Sequence, residues 1–348
     1  MRGAMRIVGY MAAGMVAIVL VAGCGAPEST TPAETGGQAS QAEAGEAAGK
    51  YVFGMSQCNL GEPWRVQMNA DIEAAAAGHP NVEVVFRDAQ NDTLKQVAHV
   101  EEFMSQGVDV LIISPKEAAP LTDPIAKAYQ AGIPVVVLDR AVLKDQFTMF
   151  IGADNKLIGE AAGRWVAQKL NGQGNVVELK GLMTSIPGHD RHNGFRKGIA
   201  GTDINVVFEA DMQWLQPKAQ QEMESALARF EDIDLVYGHN DPAAYGAYLA
   251  AKAADRADEM YFVGIDGLPH EGLAYVEQGI LDACFEYPTG GQEAIEYGLK
   301  IVRGEEVPKH VTVPSRYFTP ENLEEGGAWL KSPEDVQADA PAESGVEQ

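Results

Sequence analysis

Cysteine, cationic side chains and catalytic motifs are all scarce in this 348-residue chain. Three cysteines cannot staple a disulfide scaffold, and 26 Lys and Arg against 50 Asp and Glu leave a net charge of −24. That sign argues against nucleic acid and against an anionic membrane surface as partners, because both attract a positive face. No G-x-S-x-G, no G-x-x-x-x-G-K-[ST] and no dinucleotide fingerprint after the first strand is present, so a catalytic reading is weakened. His189 and His192 in HDRH lack a matching cysteine or carboxylate cluster in the sequence, and neither a metal nor another cofactor is expected. Carboxylate pairs could serve glycoside hydrolysis only at a defined separation, which a sequence does not state.

What is there begins with an export pattern. Arg2 and Arg6 precede an apolar run, 7–21, which closes on Val21-Ala22-Gly23-Cys24. A positive start, an apolar core and small residues before a cleavage point form a secretory signal rather than a spanning helix. Small residues running directly into cysteine resemble a bacterial lipoprotein signal, with Cys24 as the lipidated amino terminus. Residues 25–49 are rich in Pro, Gly, Ser, Thr and Glu and hold almost no large apolar side chain, so a flexible tether is expected. An acidic, disordered tail is expected over 333–348. With Cys24 assigned to lipid, Cys58 and Cys284 could form one disulfide, yet two unpaired thiols fit their spacing better.

The remaining stretch of about 300 residues suffices for two domains. Apolar strands alternate with helices: YVFGMSQ from 51, a helix over 63–77, NVEVVFRDA, a helix capped by Asp92 and ended by Gly107, VDVLIISP, a helix near 121–131, then IPVVVLDR. TMFIGADN leads into a helix over 156–170, after which the rhythm restarts with NVVELKG, a helix over 191–200, NVVFEADM, a helix over 217–230, LVYGHN, a further helix, MYFVGIDG, LDACFEYP and a helix over 290–303. Such alternation predicts parallel βαβ units in an α/β protein. Two similar blocks predict two Rossmann-like lobes, 51–153 plus 288–311 and 154–287 plus 312–332, joined by crossings near 154, 287 and 311. One large sheet is the competing arrangement.

Parallel sheets present ligands outside the carboxyl ends of their strands, so the polar strand endings are the candidate site. Trp64 stands at a helix start beside Glu62 and Arg65, either facing a ligand or anchoring the helix in the core. Trp214, in a loop after NVVFEADM, has the same two readings. Two tryptophans from different lobes could clamp the C–H faces of a sugar ring. Asp139 and Arg140 end one strand, facing the cleft or bridging each other. Arg191 sits at a helix start, where a cation needs a partner. Asn240 and Asp241 compete to cap the helix that follows them, one capping while the other faces the cleft. Asp266 and Glu286 end the last strands, as ligand contacts or as turn and hinge groups. Carboxylates, amides and arginines in one cleft suit an uncharged polyhydroxy ligand, whose hydroxyls donate to acids and accept from guanidinium groups.

At these residues the chain resembles a type I periplasmic binding protein of the sugar ABC importers, similar to the ribose-binding and galactofuranose-binding proteins. The resemblance covers about 51–320 and rests on FGMSQ with PWR at 63–65, DAQND at 88–92, QGVDVLIISP, AGIPVVVLDR, GADN at 152–155, DRHNGF at 190–195, GHND at 238–241 and VGIDG at 263–267. It implies that Asp139, Arg140, Arg191, Asn240 and Asp266 contact sugar hydroxyls, with Trp214 where an aromatic residue is usual. Glu62, Trp64 and Arg65 depart from the ribose pattern toward the galactofuranose type, and Glu286 replaces a usual glutamine. The implied protein is a lipid-anchored monomer of the cell envelope, in the periplasm or on the outer face of the membrane, and not an enzyme. It binds a monosaccharide or polyol, hands it to the transmembrane subunits of an ABC permease, and touches the membrane through its anchor only. A sugar sensor docking on a chemoreceptor or kinase is the alternative.

Overall fold

The structure is a computed structural model and describes residues 49–331. The expected signal with Cys24, the tether up to 48 and the tail from 333 lie outside the described residues. Within them, β1 (Tyr51–Gln57), α1 (Pro63–Ala77), β2 (Val82–Asp88), α2 (Thr93–Gln106), β3 (Val110–Ile113), α3 (Ala118–Gln130), β4 (Val135–Leu138) and β5 (Met149–Gly152) form the first block. The second holds α4 (Asn155–Lys169), β6 (Gln173–Lys180), α5 (Ile186–Gly198), β7 (Asp203–Asp211), α6 (Gln216–Leu227), β8 (Leu235–Gly238), α7 (Asp241–Ala253), β9 (Tyr261–Asp266), α8 (Gly272–Glu277) and β10 (Ala283–Glu286). After them come α9 (Gly291–Val302), β11 (His310–Thr312), β12 (Arg316–Phe318) and β13 (Ala328–Trp329).

Two sheets result, ordered β11-β5-β4-β3-β1-β2 and β13-β12-β10-β9-β8-β6-β7. The pairing 2-1-3-4-5 of the first block recurs as 7-6-8-9-10 in the second, so each lobe reverses direction at one switch point, beside β1 and beside β6. All pairs are parallel except β10 with β12 and β12 with β13. β3, β4 and β8 are buried along their full length, which is why they read as unbroken apolar runs.

The chain passes between the sheets three times among the described residues. It leaves β5 for α4, and it leaves β10 for α9, which packs on α1 through Gly291 and on Phe53 of β1 through Gly298. β11 then joins the edge of the first sheet beside β5 before β12 returns to the second beside β10. Two lobes with three crossings thus replace the single-sheet alternative. Cys58 and Cys284 are both unpaired and buried, one in each lobe.

α5 begins at Ile186, five residues before the expected start, because Pro187 occupies its first turn without needing an amide partner. Arg191 is consequently inside the helix rather than at its positive end. α5 packs on α4 backbone to backbone: a Cβ on Gly159 would collide with the Arg191 carbonyl, and one on Gly194 with the Lys156 carbonyl. That close approach fixes the helix that carries Arg191.

Candidate functional site

Facing strand ends of the two lobes enclose a cavity lined by Glu62, Trp64, Arg65, Asp139, Arg140, Pro187, Arg191, Trp214, Asn240, Asp266 and Tyr287. Its free volume is about 20 Å³, far below the roughly 300–1,000 Å³ of small-molecule sites. The walls of the two lobes therefore stand close together. A ligand enters only if the lobes part.

On the first lobe, Pro63 starts α1 directly after β1 and places Trp64 and Arg65 in its first turn. Arg65 Nη1 donates to Asp139 Oδ2 at 2.6 Å and to Ser114 Oγ at 2.9 Å, while the Ser114 hydroxyl donates to Asp139 Oδ2 at 3.0 Å. Glu62 Oε2 lies 3.6 Å from Arg65 Nε and 4.0 Å from Arg140 Nη2, and Asn59 Nδ2 donates to Glu62 Oε1 at 2.7 Å. Arg140 is further held by the Lys116 carbonyl at 3.1 Å. Asp139 therefore pairs chiefly with Arg65, and its sequence neighbour Arg140 stands 3.8 Å away.

On the second lobe, Arg191 Nε donates to Asn155 Oδ1 at 2.9 Å, and its Nη1 donates to the His239 carbonyl. Asp266 Oδ1 is 3.7 Å from Arg191 Nη1. The competition at the start of α7 is resolved by division of labour. Asn240 Oδ1 accepts from the Ala243 amide at 3.0 Å as the cap, and Asn240 Nδ2 donates to the Trp214 carbonyl at 3.1 Å. Asp241 turns inward, accepting from the Gly267 amide at 2.8 Å and from the Cys284 thiol at 3.1 Å, which anchors the loop behind Asp266.

Three cavity residues hold their backbones at positive φ: Asp139 at 66°, Trp214 at 67° and Asp266 at 139°. Such conformations cost on the order of 1–3 kcal/mol each in residues other than glycine and persist where the surroundings over-determine them. Tight turns at strand ends thereby aim side chains that a relaxed backbone would turn elsewhere.

The two carboxyl groups that leave β4 and β9 are shifted in opposite directions. Burial alone would raise the Asp139 carboxyl, but the Arg65 and Arg140 guanidinium groups outweigh it and hold the group below the usual range. Burial opposes the Arg65 cation, and Asp139, Cys58 and Glu62 together more than reverse this, so its charge is secure. Asp266 is pushed well above the usual carboxylate range by burial, against the pull of Arg191 and with help from Asp241, Glu62 and Glu271.

A profile of the periplasmic binding protein domain matches residues 53–306. The chain belongs to that family. The ribose import binding protein of Bacillus subtilis is 30% identical over 272 residues, covering 78% of this chain and 88% of that protein. The galactofuranose-binding protein of Escherichia coli is 30% identical over 232 residues, with 64% and 73% covered. Among solved structures, the fructose-binding periplasmic domain of a hybrid two-component system is 43% identical at a TM-score of 0.77, over 79% of this chain and 93% of that one. An ABC transporter solute-binding protein from Bacillus halodurans with bound myo-inositol is 30% identical at a TM-score of 0.76, over 81% and 98%. These relatives are binding proteins, not enzymes, and this periplasmic binding protein shares that character.

Nine of the ten expected ligand residues meet in the cavity of this periplasmic binding protein. Trp64 is both a wall and a core residue: it packs in the first lobe's core while its Nε1 donates to the Tyr287 carbonyl at 2.8 Å. Glu286 lies outside the cavity. It takes a two-pronged pair with Arg316, at 2.9 and 3.0 Å, and faces a more open groove along α1 and α9. Tyr287, one residue on, is the cavity residue instead. Its hydroxyl donates to the Asp139 carbonyl at 3.2 Å and accepts from Asn155 Nδ2 at 3.4 Å, with the Arg191 guanidinium 4.8 Å from its ring centre. Successive strand residues face opposite ways, so alternation along FEYP was the available signal.

The sequence reading also missed carboxylates near the HDRH motif. Ligand atoms of Glu178, His192 and Glu209 all lie within 4.8 Å of one another. Arg196 contacts both carboxylates, at 3.1 and 2.5 Å, and Lys180 reaches Glu209 at 3.2 Å. Protein cations thus already balance that cluster.

Proposed function

We propose that this periplasmic binding protein captures a neutral monosaccharide, a pentose, a hexose or a related polyol, between its lobes and delivers it to the transmembrane subunits of an ABC permease. The observation that carries the reading is one closed cavity whose opposing walls supply Arg65, Arg140 and Arg191 alongside Glu62, Asp139 and Asp266, with Trp64 and Trp214 beside them. Hydroxyl groups can accept from guanidinium groups while donating to carboxylates, whereas a ligand with net charge would leave one set uncompensated. Relatives named for ribose, galactofuranose and xylitol, and neighbours solved with myo-inositol or named for fructose, support the class. Closure is a hinge motion through the three crossings, and a sugar touching both walls favours the closed state. Cys24 is the proposed lipid attachment that holds the protein at the membrane.

A second reading is favoured by one observation. The neighbour at 43% identity is the fructose-binding periplasmic domain of a hybrid two-component system, and on that reading the closed form reports sugar to a receptor or kinase instead. Mass spectrometry of ligand released from freshly purified protein, followed by calorimetry with the sugar found, tests the capture. A charged non-carbohydrate ligand, or no binding of any pentose, hexose or polyol, would sink it. Loss of sugar uptake on deletion of the gene separates importer from sensor.

A further inference from the structure

A buried polar atom without a partner calls for an explanation, and at a binding cavity a ligand group supplies one. Four such atoms belong to cavity residues: Arg65 Nε, Arg140 Nε, Arg140 Nη2 and Trp214 Nε1. All four are N–H donors, and among the described residues no carboxylate oxygen of the cavity joins them. The arginine atoms have carboxylates at 3.6 to 4.0 Å, beyond hydrogen-bond range but close enough to balance charge. Trp214 Nε1 has no such neighbour.

Stacking alone does not account for how Trp214 is held. The guanidinium groups of Arg140 and Arg191 lie 5.6 and 5.3 Å from its ring centre, so protein cations already occupy ring-face positions. Its benzo edge is wedged over Gly181, where a Cβ would collide with Cζ2, Cζ3 and Cη2. Gln213 and Trp214 both adopt the left-handed region, at φ 57° and 67°, and the turn is pinned by Gln213 N to Asp211 Oδ1 at 2.9 Å and by Asn240 on the Trp214 carbonyl. Two consecutive strained residues without glycine fix one indole orientation. That orientation leaves its single donor buried and unused.

We propose that Trp214 is a specificity-determining residue that acts through its indole N–H, which reads one oxygen of the bound sugar. The selected ligand presents an acceptor there, a ring oxygen or a hydroxyl whose own proton goes to a carboxylate. An analogue lacking that oxygen leaves the buried indole donor unmatched and is rejected. This rests on the sugar-binding reading above and names the edge of the ligand that the site discriminates.

The test uses D-fructose, D-ribose, L-arabinose, D-galactose and myo-inositol, together with monodeoxy derivatives of whichever binds best. Trp214→Phe keeps an aromatic ring and removes the donor. We expect it to weaken binding of the parent sugar by about 5–30-fold. One deoxy derivative should bind the wild type more weakly than the parent, and Trp214→Phe should bring that parent-to-deoxy ratio close to one. A ring serving only as a surface would leave the ratio unchanged. If Trp214→Phe does not fold, wild-type protein labelled with ¹⁵N at the indole nitrogen gives the same answer: the Trp214 N–H resonance should move downfield and exchange more slowly on saturation with sugar. Sugar binding with an unmoved Trp214 resonance, or an unchanged ratio in a folded Trp214→Phe variant, overturns this proposal while leaving sugar capture standing. If none of the panel binds wild type, both fall together.

Discussion

Replacing Asp139 by alanine should weaken the fold as well as the site. The carboxylate is 4% exposed and takes Arg65 Nη1 at 2.6 Å, with Arg65 equally buried. Removing one member of a buried pair leaves the other charge uncompensated, at a cost of roughly 3–5 kcal/mol. Arg65 keeps the Ser114 hydroxyl at 2.9 Å and the Glu62 carboxylate at 3.6 Å, which places the cost near the lower end, about 3 kcal/mol. For a chain of this size that corresponds to a fall in Tm of about 5 °C. Asp139→Asn keeps an acceptor for Arg65 and should lose less. Arg65→Met with Asp139→Leu removes both charges and should recover most of the stability without recovering sugar binding. Melting of sugar-free protein by circular dichroism gives the first readout. Calorimetry, where Asp139→Ala should lose at least about tenfold in affinity, gives the second. An Asp139→Ala protein that melts within about 2 °C of wild type would refute the buried-pair account.

Tyr287→Phe deletes the hydroxyl between the Asp139 carbonyl and Asn155, and should cost about 1 kcal/mol in stability and a few-fold in sugar affinity; wild-type values for both would show that the hydroxyl positions nothing. Burial, with the Asp241 charge, pushes Glu271 up to about 7, and burial pushes Asp241 up to about 6. Folded-state values above the unfolded ones mean that their stabilising contribution is complete below about pH 4 and is lost as pH rises through 6 to 7. Glu271→Gln should therefore gain on wild type in urea midpoint between pH 5 and pH 8, and an equal difference at both would contradict this. Cys24→Ser should release the protein from membranes into the soluble fraction, and continued membrane association would argue against the anchor.

The alternation of strand and helix was legible because buried parallel strands such as VVVL leave an unbroken apolar trace, and Asp92 and Gly107 mark the ends of α2 as a side-chain cap and a left-handed stop. Most of the cavity was legible too, since strand endings carry its polar residues. Glu286 was misplaced because one residue decides which way a strand-end side chain points, and the polar residue was chosen over its tyrosine neighbour. Asp139 was expected to face the cleft or bridge Arg140, yet Arg65 comes from a helix 74 residues earlier to bury with it, a pairing that no local pattern announces. β11, β12 and β13, two or three residues each, are too short to show a period. The early start of α5 was hidden because Ile186-Pro187-Gly188 reads as a loop until its packing on α4 is seen.

The two buried thiols have a practical consequence. Cys58 and Cys284 are both fully inaccessible, and burial together with the Asp241 carboxylate pushes the Cys284 thiol well above its usual range, so it stays protonated and unreactive. Among the described residues the native surface is therefore silent to maleimide dyes. A cysteine placed at an exposed position beside a polar strand ending, such as Leu60 at 43% or Leu143 at 65% exposure, would carry the fluorophore alone and convert lobe closure into an optical signal.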